Sequence, residues 1–303
     1  MLATTVGIVS LLAATLFWAG NYVVGAAAVA ELPPLSLVFL RWLLAVVPLL
    51  IIAQVIERPR WREVARAWPW LLVLSGFGLL GYNLLLYSAL EHTTALNASL
   101  INAFNPALIS LAAVVFLRQR LTPLAVLGIL ISLVGVLVVL TGGNPAAILT
   151  TGFGVGEICV WTGYTIAGRL APPLPPITAT AAQALITVVV LAPFVLITGG
   201  PVLPSTARAG AALLFIAVFP SVLSYVLWNR ALAVIRPARA GVFLNLITVF
   251  TAAFTIISGQ SYSAAQVVGG LVVIGGVVLT NVVGTQTAVE PADDDVARPV
   301  EAQ

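Results

Sequence analysis

Long apolar runs separated by short polar breaks set the pattern of this chain. Ten such runs fall at approximately residues 5–27, 35–56, 68–90, 95–116, 123–141, 153–170, 177–198, 209–232, 238–258 and 265–284. Each is close to the roughly 20 residues that a helix rising 1.5 Å per residue needs to cross the hydrocarbon core of a bilayer. The breaks are rich in Pro, Gly and Arg: Pro33-Pro34, Glu57 to Arg66, Arg118 to Thr122, Gly142 to Pro145, Pro172 to Pro176, Gly199 to Pro204, Arg236-Pro237 and Gly259 to Ser263. The pattern predicts an all-α integral membrane protein with ten transmembrane helices.

Composition agrees. Of 303 residues, 61% are hydrophobic and 8% charged, whereas soluble domains carry about 25% charged residues. Ala26-Ala27-Ala28-Val29-Ala30 has the look of a signal-peptide cleavage site. The segment before it has no basic start, however, and is interrupted by Trp18, Asn21 and Tyr22, so it reads as a retained helix. One cysteine, Cys159, excludes an intramolecular disulfide and any multi-cysteine metal site, and a single histidine, His92, leaves little material for a metal centre. No nucleotide-binding motif and no nucleic-acid-binding signature are present, and no cofactor is expected.

All thirteen basic residues are Arg. With the N-terminus inside, Arg58, Arg60, Arg62, Arg66, Arg118, Arg120, Arg169, Arg230, Arg236, Arg239 and Arg298 fall on the cytoplasmic side, Arg208 falls outside and Arg41 lies within a span. That bias predicts a bacterial inner-membrane protein with both termini cytoplasmic. Residues 285–303 hold Glu290, Asp293-Asp294-Asp295 and Glu301, half of the acidic residues, without apolar periodicity. They read as a disordered acidic tail rather than a metal-binding motif.

The pattern is written twice. Phe17-Trp18-Ala19-Gly20-Asn21-Tyr22 has its counterpart in Val160-Trp161-Thr162-Gly163-Tyr164. Pro33-Pro34 matches Pro175-Pro176, Arg41 matches Gln183, Pro48 roughly matches Pro193, Ala89-Leu90 matches Ala231-Leu232 and Gly135-Val136 matches Gly276-Val277. The offsets lie between 141 and 145 residues. The expected units are 1–142 and 151–284. Each holds five spans, an odd number, so the second enters the membrane from the opposite side. Inverted repeats of this kind have two similar arrangements, one open to each side, which suits a carrier working by alternating access.

Polar groups in hydrocarbon are costly unless they face protein or water. At helical spacing, Trp18, Asn21, Tyr22 and Gly25 share one face, as do Glu157, Trp161, Tyr164 and Gly168. Further stripes are Ser75, Gly78 and Tyr82; Ser99, Asn102, Asn105 and Pro106; Ser221, Ser224, Tyr225 and Trp228; and Asn245, Thr248 and Thr255. These predict a central cavity whose candidate substrate-binding residues are Trp18, Asn21, Tyr22, Tyr82, Ser99, Asn102, Asn105, Trp161, Tyr164, Tyr225 and Asn245. The competing role for each Asn or Ser is an interhelical hydrogen bond. The fifth and tenth runs carry Gly128, Ser132, Gly135 and Gly269, Gly270, Gly276 instead, as close helix packing requires. Trp61, Trp68 and Trp70, near span ends, suit interfacial anchoring.

Two charges stand apart. Arg41 and Glu157 each lie inside a span, entering from the same side, as candidates for coupling or gating. Arg41 has two readings, a pair with Glu157 across the cavity mouth or a side chain reaching the headgroups. Glu157 is too short to reach them, and suits proton coupling or ammonium binding. Glu91-His92 reads as a solvated loop. Gly152-Phe153-Gly154-Val155-Gly156 lacks the strand and Lys of a phosphate loop. Ser221 and Ser224 have no histidine in any span to activate them.

Several of these residues together resemble the EamA-type branch of the drug/metabolite transporter superfamily. They are the Trp-x-Gly of each first helix, Tyr87-Ser88-Ala89-Leu90, Asn105-Pro106, Arg120-Leu121-Thr122 and Gly128…Gly135-Val136, and the resemblance covers about residues 5–284. It departs at Arg118-Gln119, where that family usually has Gly-Glu. The resemblance implies a secondary or facilitative exporter of small metabolites, amino acids first among them. The alternatives are a multidrug exporter, expected to carry more cavity acids, and a membrane-embedded lipid-modifying enzyme, for which the spans lack a charged cluster. The expected partners are a small-molecule substrate and the lipid bilayer, with monomer and homodimer both open.

Overall fold

The computed structural model describes residues 2–117, 121–141, 147–235 and 243–284. Among these, every regular element is a helix. In chain order they are α1 (Leu2–Ala28), α2 (Pro34–Ile56), a short α3 (Trp61–Arg66), α4 (Trp68–Leu74), α5 (Tyr82–Leu90), α6 (Ala95–Asn102) and α7 (Asn105–Leu117). There follow α8 (Pro123–Thr141), α9 (Ala147–Leu170), α10 (Pro176–Ile197), α11 (Ala207–Val218), α12 (Ser224–Leu232), α13 (Leu246–Ile257) and α14 (Ala264–Gly284). The tail 285–303 and Arg118, Gln119, Arg120, Arg236, Arg239 and Arg298 lie outside the described residues, as do Gly142 to Pro145.

Six stretches are long and apolar enough to cross a membrane: Thr4–Ala28, Pro34–Ile56, Trp68–Leu90, Ala95–Phe116, Pro176–Ile197 and Ala207–Leu232. Pro123–Val139, Phe243–Ile257 and Ala264–Thr280 are shorter apolar helices. The sixth run of the sequence folds as the 24-residue α9, whose apolar face is interrupted by Glu157. Prolines set two starts. Pro34 and Pro176 sit in the first turns of α2 and α10, where the missing N–H has no helical partner to lose. Thr94 and Thr206 cap α6 and α11, accepting from the amides of Asn97 (3.2 Å) and Ala209 (3.1 Å). Gly199 and Gly200, at φ of 96° and 98°, turn the chain out of α10.

The solvation pattern is that of a protein in lipid. Leu43, Leu44, Val47, Ile51 and Val55 make one exposed apolar stripe on α2, while Arg41, Glu157, Gln183, Thr187 and Ser221 are buried. Trp61 and Trp68 are exposed near helix ends, as interfacial anchors are; Trp70 instead turns inward and lines a cavity.

α8 and α14 pack along one another with glycines in contact. A Cβ on Gly128 would stand 2.6 Å from the Gly276 carbonyl oxygen, and one on Gly135 2.7 Å from that of Gly269. Ser132 donates to the Val273 carbonyl at 3.2 Å. This is the close packing that the small residues predict.

The remaining long helices are interrupted, and the interruptions position the site. α4 and α5 are joined by a π-helical stretch, Ser75–Gly81, and α11 and α12 by another, Phe219–Leu223. They fall at corresponding places in the two halves of the sequence, as do Pro48 in α2 and Pro193 in α10. Between α6 and α7 the helix breaks at Ala103 and Phe104, before Asn105-Pro106. Proline disfavours helical geometry in the residue before it and cannot donate to the carbonyl four residues back, here that of Asn102. A turn at Leu244 and Asn245, just before α13, mirrors that break.

Candidate functional site

Two cavities meet in the middle of the helix assembly. The inner one, about 90 Å³, is lined by Trp18, Asn21, Tyr22, Arg41, Tyr82, Asn83, Asn102, Asn105, Trp161, Tyr225 and Asn245, with Ala103, Pro106, Ile109, Leu244 and Ile247. The wider one, about 500 Å³, runs past Trp70, Tyr164, Gly168, Pro172, Gln183, Trp228 and Asn229. Four residues, Trp18, Trp161, Tyr225 and Leu244, belong to both walls and form the constriction between them. The aromatic rings brace one another. Trp18 stands edge-on to Tyr225 at 5.7 Å, and Trp161 lies 5.0 Å from Tyr82 and 5.1 Å from Tyr164. The Trp18 indole N–H donates to the Pro220 carbonyl (3.1 Å), which the π-helical turn presents sideways.

The π-helical turns also explain how Arg41 is held. Pro220 cannot donate to the Ile216 carbonyl, and Ser221 Oγ donates to it instead at 2.7 Å. In the other half, Asn83 Nδ2 donates to the Leu79 carbonyl at 2.6 Å. Both side chains then accept from the guanidinium: Arg41 Nε donates to Ser221 Oγ (2.9 Å) and Nη1 to Asn83 Oδ1 (2.5 Å). Nη1 also donates to Tyr87 Oη (2.7 Å), whose hydroxyl donates on to Asn21 Oδ1 (2.8 Å). The cation lies over the faces of Trp42 and Tyr87, at 4.9 and 5.7 Å. Arg41 therefore clamps the two dislocated turns together.

This arrangement corrects both expectations for Arg41. At 3% exposure it does not reach the headgroups, and it is not paired with Glu157. Among the described residues the one ion pair is Arg60 with Glu63, on the surface. The reason is geometric: Asn83, Tyr87 and Ser221 surround the guanidinium, while Glu157 stands behind two tyrosines. Tyr22 Oη donates to Glu157 Oε1 at 3.2 Å and shares a 3.1 Å hydrogen bond with Tyr82 Oη. Glu157 is fully buried, and its Oε2 is without a hydrogen-bond partner among the described residues.

Of the eleven candidate binding residues, nine line the inner cavity: Trp18, Asn21, Tyr22, Tyr82, Asn102, Asn105, Trp161, Tyr225 and Asn245. Tyr164 lines the wider one. Ser99 reaches neither. It is fully buried, its hydroxyl donates to the Leu96 carbonyl (2.8 Å), and its own carbonyl accepts from Thr248 Oγ1 (2.9 Å). Other stripe hydroxyls bind helix to helix in the same way: Ser75 to Gln183 and Thr187, and Ser224 to the Ala14 carbonyl. Asn105 Nδ2 donates to Asn102 Oδ1 at 2.5 Å, leaving Asn105 Oδ1 buried without a partner among the described residues. Beside Arg41, Ala103 and Pro106, the wall is completed by Asn83, Ile109, Leu244 and Ile247. Asn83 is a buried amide in an apolar run and was findable on that ground; the three aliphatics carry no signal. Glu91 and His92 are exposed, as a solvated loop requires.

One family model, described as the EamA-like transporter family, matches residues 5–141 and again residues 152–282. The chain is 31% identical over 241 residues to the uncharacterized transporter YyaM of Bacillus subtilis, a match covering 76% of this chain and 77% of that protein. An uncharacterized transporter of Archaeoglobus fulgidus is 30% identical over 276 residues, covering 88% and 93%. A chain of known crystal structure has the same fold, with a TM-score of 0.63 at 20% identity, covering 92% of this chain and 97% of its own.

Proposed function

The chain belongs to the EamA-like transporter family, and from that premise we propose that it exports amino acids or related small metabolites by alternating access through the inner cavity. It is a multi-pass membrane transporter, not an enzyme. In this reading the units 1–142 and 151–284 are inverted five-helix repeats, and the protein sits in the bacterial inner membrane with both termini cytoplasmic. The twofold match of the family model, the paired π-helical turns and the paired prolines support the repeat.

The observation that carries the reading is the constriction. A small polar and aromatic chamber, lined by residues of both halves, is separated from a wider chamber by Trp18, Trp161, Tyr225 and Leu244. The wider chamber is also lined by Ala67, Pro172 and Asn229. A carrier open to one side and closed to the other has this form. Glu157 then serves as the coupling group, reached from the cavity through the Tyr22 and Tyr82 hydroxyls. A cationic multidrug exporter is disfavoured, because among the described residues the only charged side chain on the cavity wall is Arg41.

Counterflow in proteoliposomes tests the proposal: vesicles loaded with each of a panel of amino acids are followed for entry of the labelled compound. Accelerated exchange that Asn102→Ala or Trp161→Ala abolishes in folded protein supports carriage through this cavity. Absence of exchange for every amino acid sinks the amino-acid reading.

A further inference from the structure

We propose that the inner cavity seats its substrate by a carboxylate on Arg41, so that the substrate class is a small organic monocarboxylate with an apolar or aromatic body, whose amino group is dispensable. This rests on the reading of the cavity as the carrier's binding site. It goes further in naming which end of the substrate is anchored and which charge is required.

The argument starts from the donors of Arg41. Nε and Nη1 are occupied by Ser221, Asn83 and Tyr87, all neutral acceptors. Nη2 donates to none of the described residues, although Arg41 lines the cavity. A guanidinium presents its N–H groups as a planar fork, and ligands fixed on both Nε and Nη1 leave Nη2 held in a set direction. Arg41 is buried, and among the described residues no carboxylate pairs with it: the one buried acid, Glu157, is not on the cavity wall and is engaged by Tyr22. A ligand carboxylate supplies the missing charge, and charge-assisted hydrogen bonds are the stronger kind. At the other end of the molecule the wall is aromatic: Trp18, Tyr22, Tyr82 and Trp161. Aromatic-lined concave sites with a few oriented polar groups hold apolar bodies. An α-ammonium finds no acidic side chain on the wall among the described residues, so it adds nothing that the carboxylate needs.

The test uses the purified full-length protein and four probes sharing one body: 3-phenylpropionate, phenylalanine, 3-phenylpropionamide and phenethylamine. Binding is read by quenching of tryptophan fluorescence, to which Trp18 and Trp161 contribute, and transport by counterflow. The proposal expects 3-phenylpropionate to bind and exchange at least as well as phenylalanine, with the amide and the amine about thirtyfold weaker or more. Arg41→Lys should keep part of the 3-phenylpropionate affinity and Arg41→Gln should lose about thirtyfold, both checked for folding by thermal unfolding. If Arg41→Gln does not fold, the wild-type probe series alone decides. Amide or amine binding equal to that of 3-phenylpropionate overturns the anchoring while leaving carriage intact. Phenylalanine exchanging where 3-phenylpropionate does not also overturns it. Exchange of none of the four overturns the cavity reading and the proposal together.

Discussion

Tyr22 and Glu157 come from opposite halves of the sequence and share a hydrogen bond of 3.2 Å, with the tyrosine between the carboxylate and the cavity. The same hydroxyl pairs with Tyr82 at 3.1 Å. The buried acid is thus one side chain removed from the substrate chamber and connected to it by groups that both donate and accept. Burying a carboxylate without a cation is costly, so a proton held there is the natural neutralising partner.

If Glu157 couples transport to protons, Glu157→Gln, which mimics the protonated acid, should separate exchange from accumulation. Counterflow without a gradient is expected to remain within about threefold of wild type, since the glutamine keeps an acceptor for Tyr22. Accumulation driven by an imposed pH gradient should vanish. Gradient-driven accumulation at the wild-type level in this variant would remove Glu157 from the coupling role.

Trp161 serves both chambers, and its loss should be felt as affinity. Trp161→Ala removes the ring that stacks near Tyr82 and Tyr164 and widens the constriction. Aromatic pair contacts contribute about 0.5–1.5 kcal/mol beyond burial, so the half-saturation concentration in exchange should rise about tenfold. Trp161→Phe should recover most of the loss. An unchanged half-saturation in Trp161→Ala would place substrate elsewhere.

The packing of α8 on α14 gives a stability prediction with an internal control. On Gly128 an added Cβ would meet Thr280 Oγ1 at 2.5 Å and the Gly276 carbonyl oxygen at 2.6 Å, whereas on Gly275 it meets nothing within 4 Å. Overpacking costs about 1–3 kcal/mol. Gly128→Ala should therefore lower the thermal unfolding temperature in detergent, and Gly275→Ala should not. Equal behaviour of the two would mean that the helices do not meet as described.

The sequence carried the helical runs, the Gly128 and Gly269 packing and most of the inner wall, because burial in a bilayer turns every polar residue in an apolar run into a signal. It did not carry the π-helical turns. A 3.6-residue period assumes unbroken α-helix, while Ser75–Gly81 and Phe219–Leu223 shift the register of everything after them. Asn83, just after the first stretch, and Ser221, within the second, are the side chains that meet Arg41. Spacing alone also cannot separate a hydroxyl that faces a cavity from one that binds its neighbour: Ser99 and Asn102 lie on one stripe, but the break at Ala103 turns only the second towards the chamber.

The two ends of the helix assembly are tied by different carboxylates, and this predicts opposite responses to their removal. At one end Glu57 accepts from the amides of Ile177 (2.9 Å) and Thr178 (2.7 Å) and from Thr178 Oγ1 (2.6 Å), capping α10. At the other, Glu31 accepts from Thr206 Oγ1 at 2.8 and 2.9 Å and from Ser205 Oγ at 3.2 Å, and Val202 N donates to Ser36 Oγ at 3.0 Å. The wider chamber lies at the Glu57 end, beside Pro176; in the proposed carrier the Glu31 clasp holds the opposite end shut. Its groups are exposed, and their loss is expected to cost about 1 kcal/mol, a roughly fivefold shift between conformations. In Glu31→Ala, hydrogen exchange over residues 202–210 should quicken by about that factor while the start of α10 stays protected. In Glu57→Ala the start of α10 should quicken and residues 202–210 should not. If Glu31→Ala leaves exchange at residues 202–210 unchanged, the clasp does not hold that end, and closure there must rest on the buried contacts of Arg41.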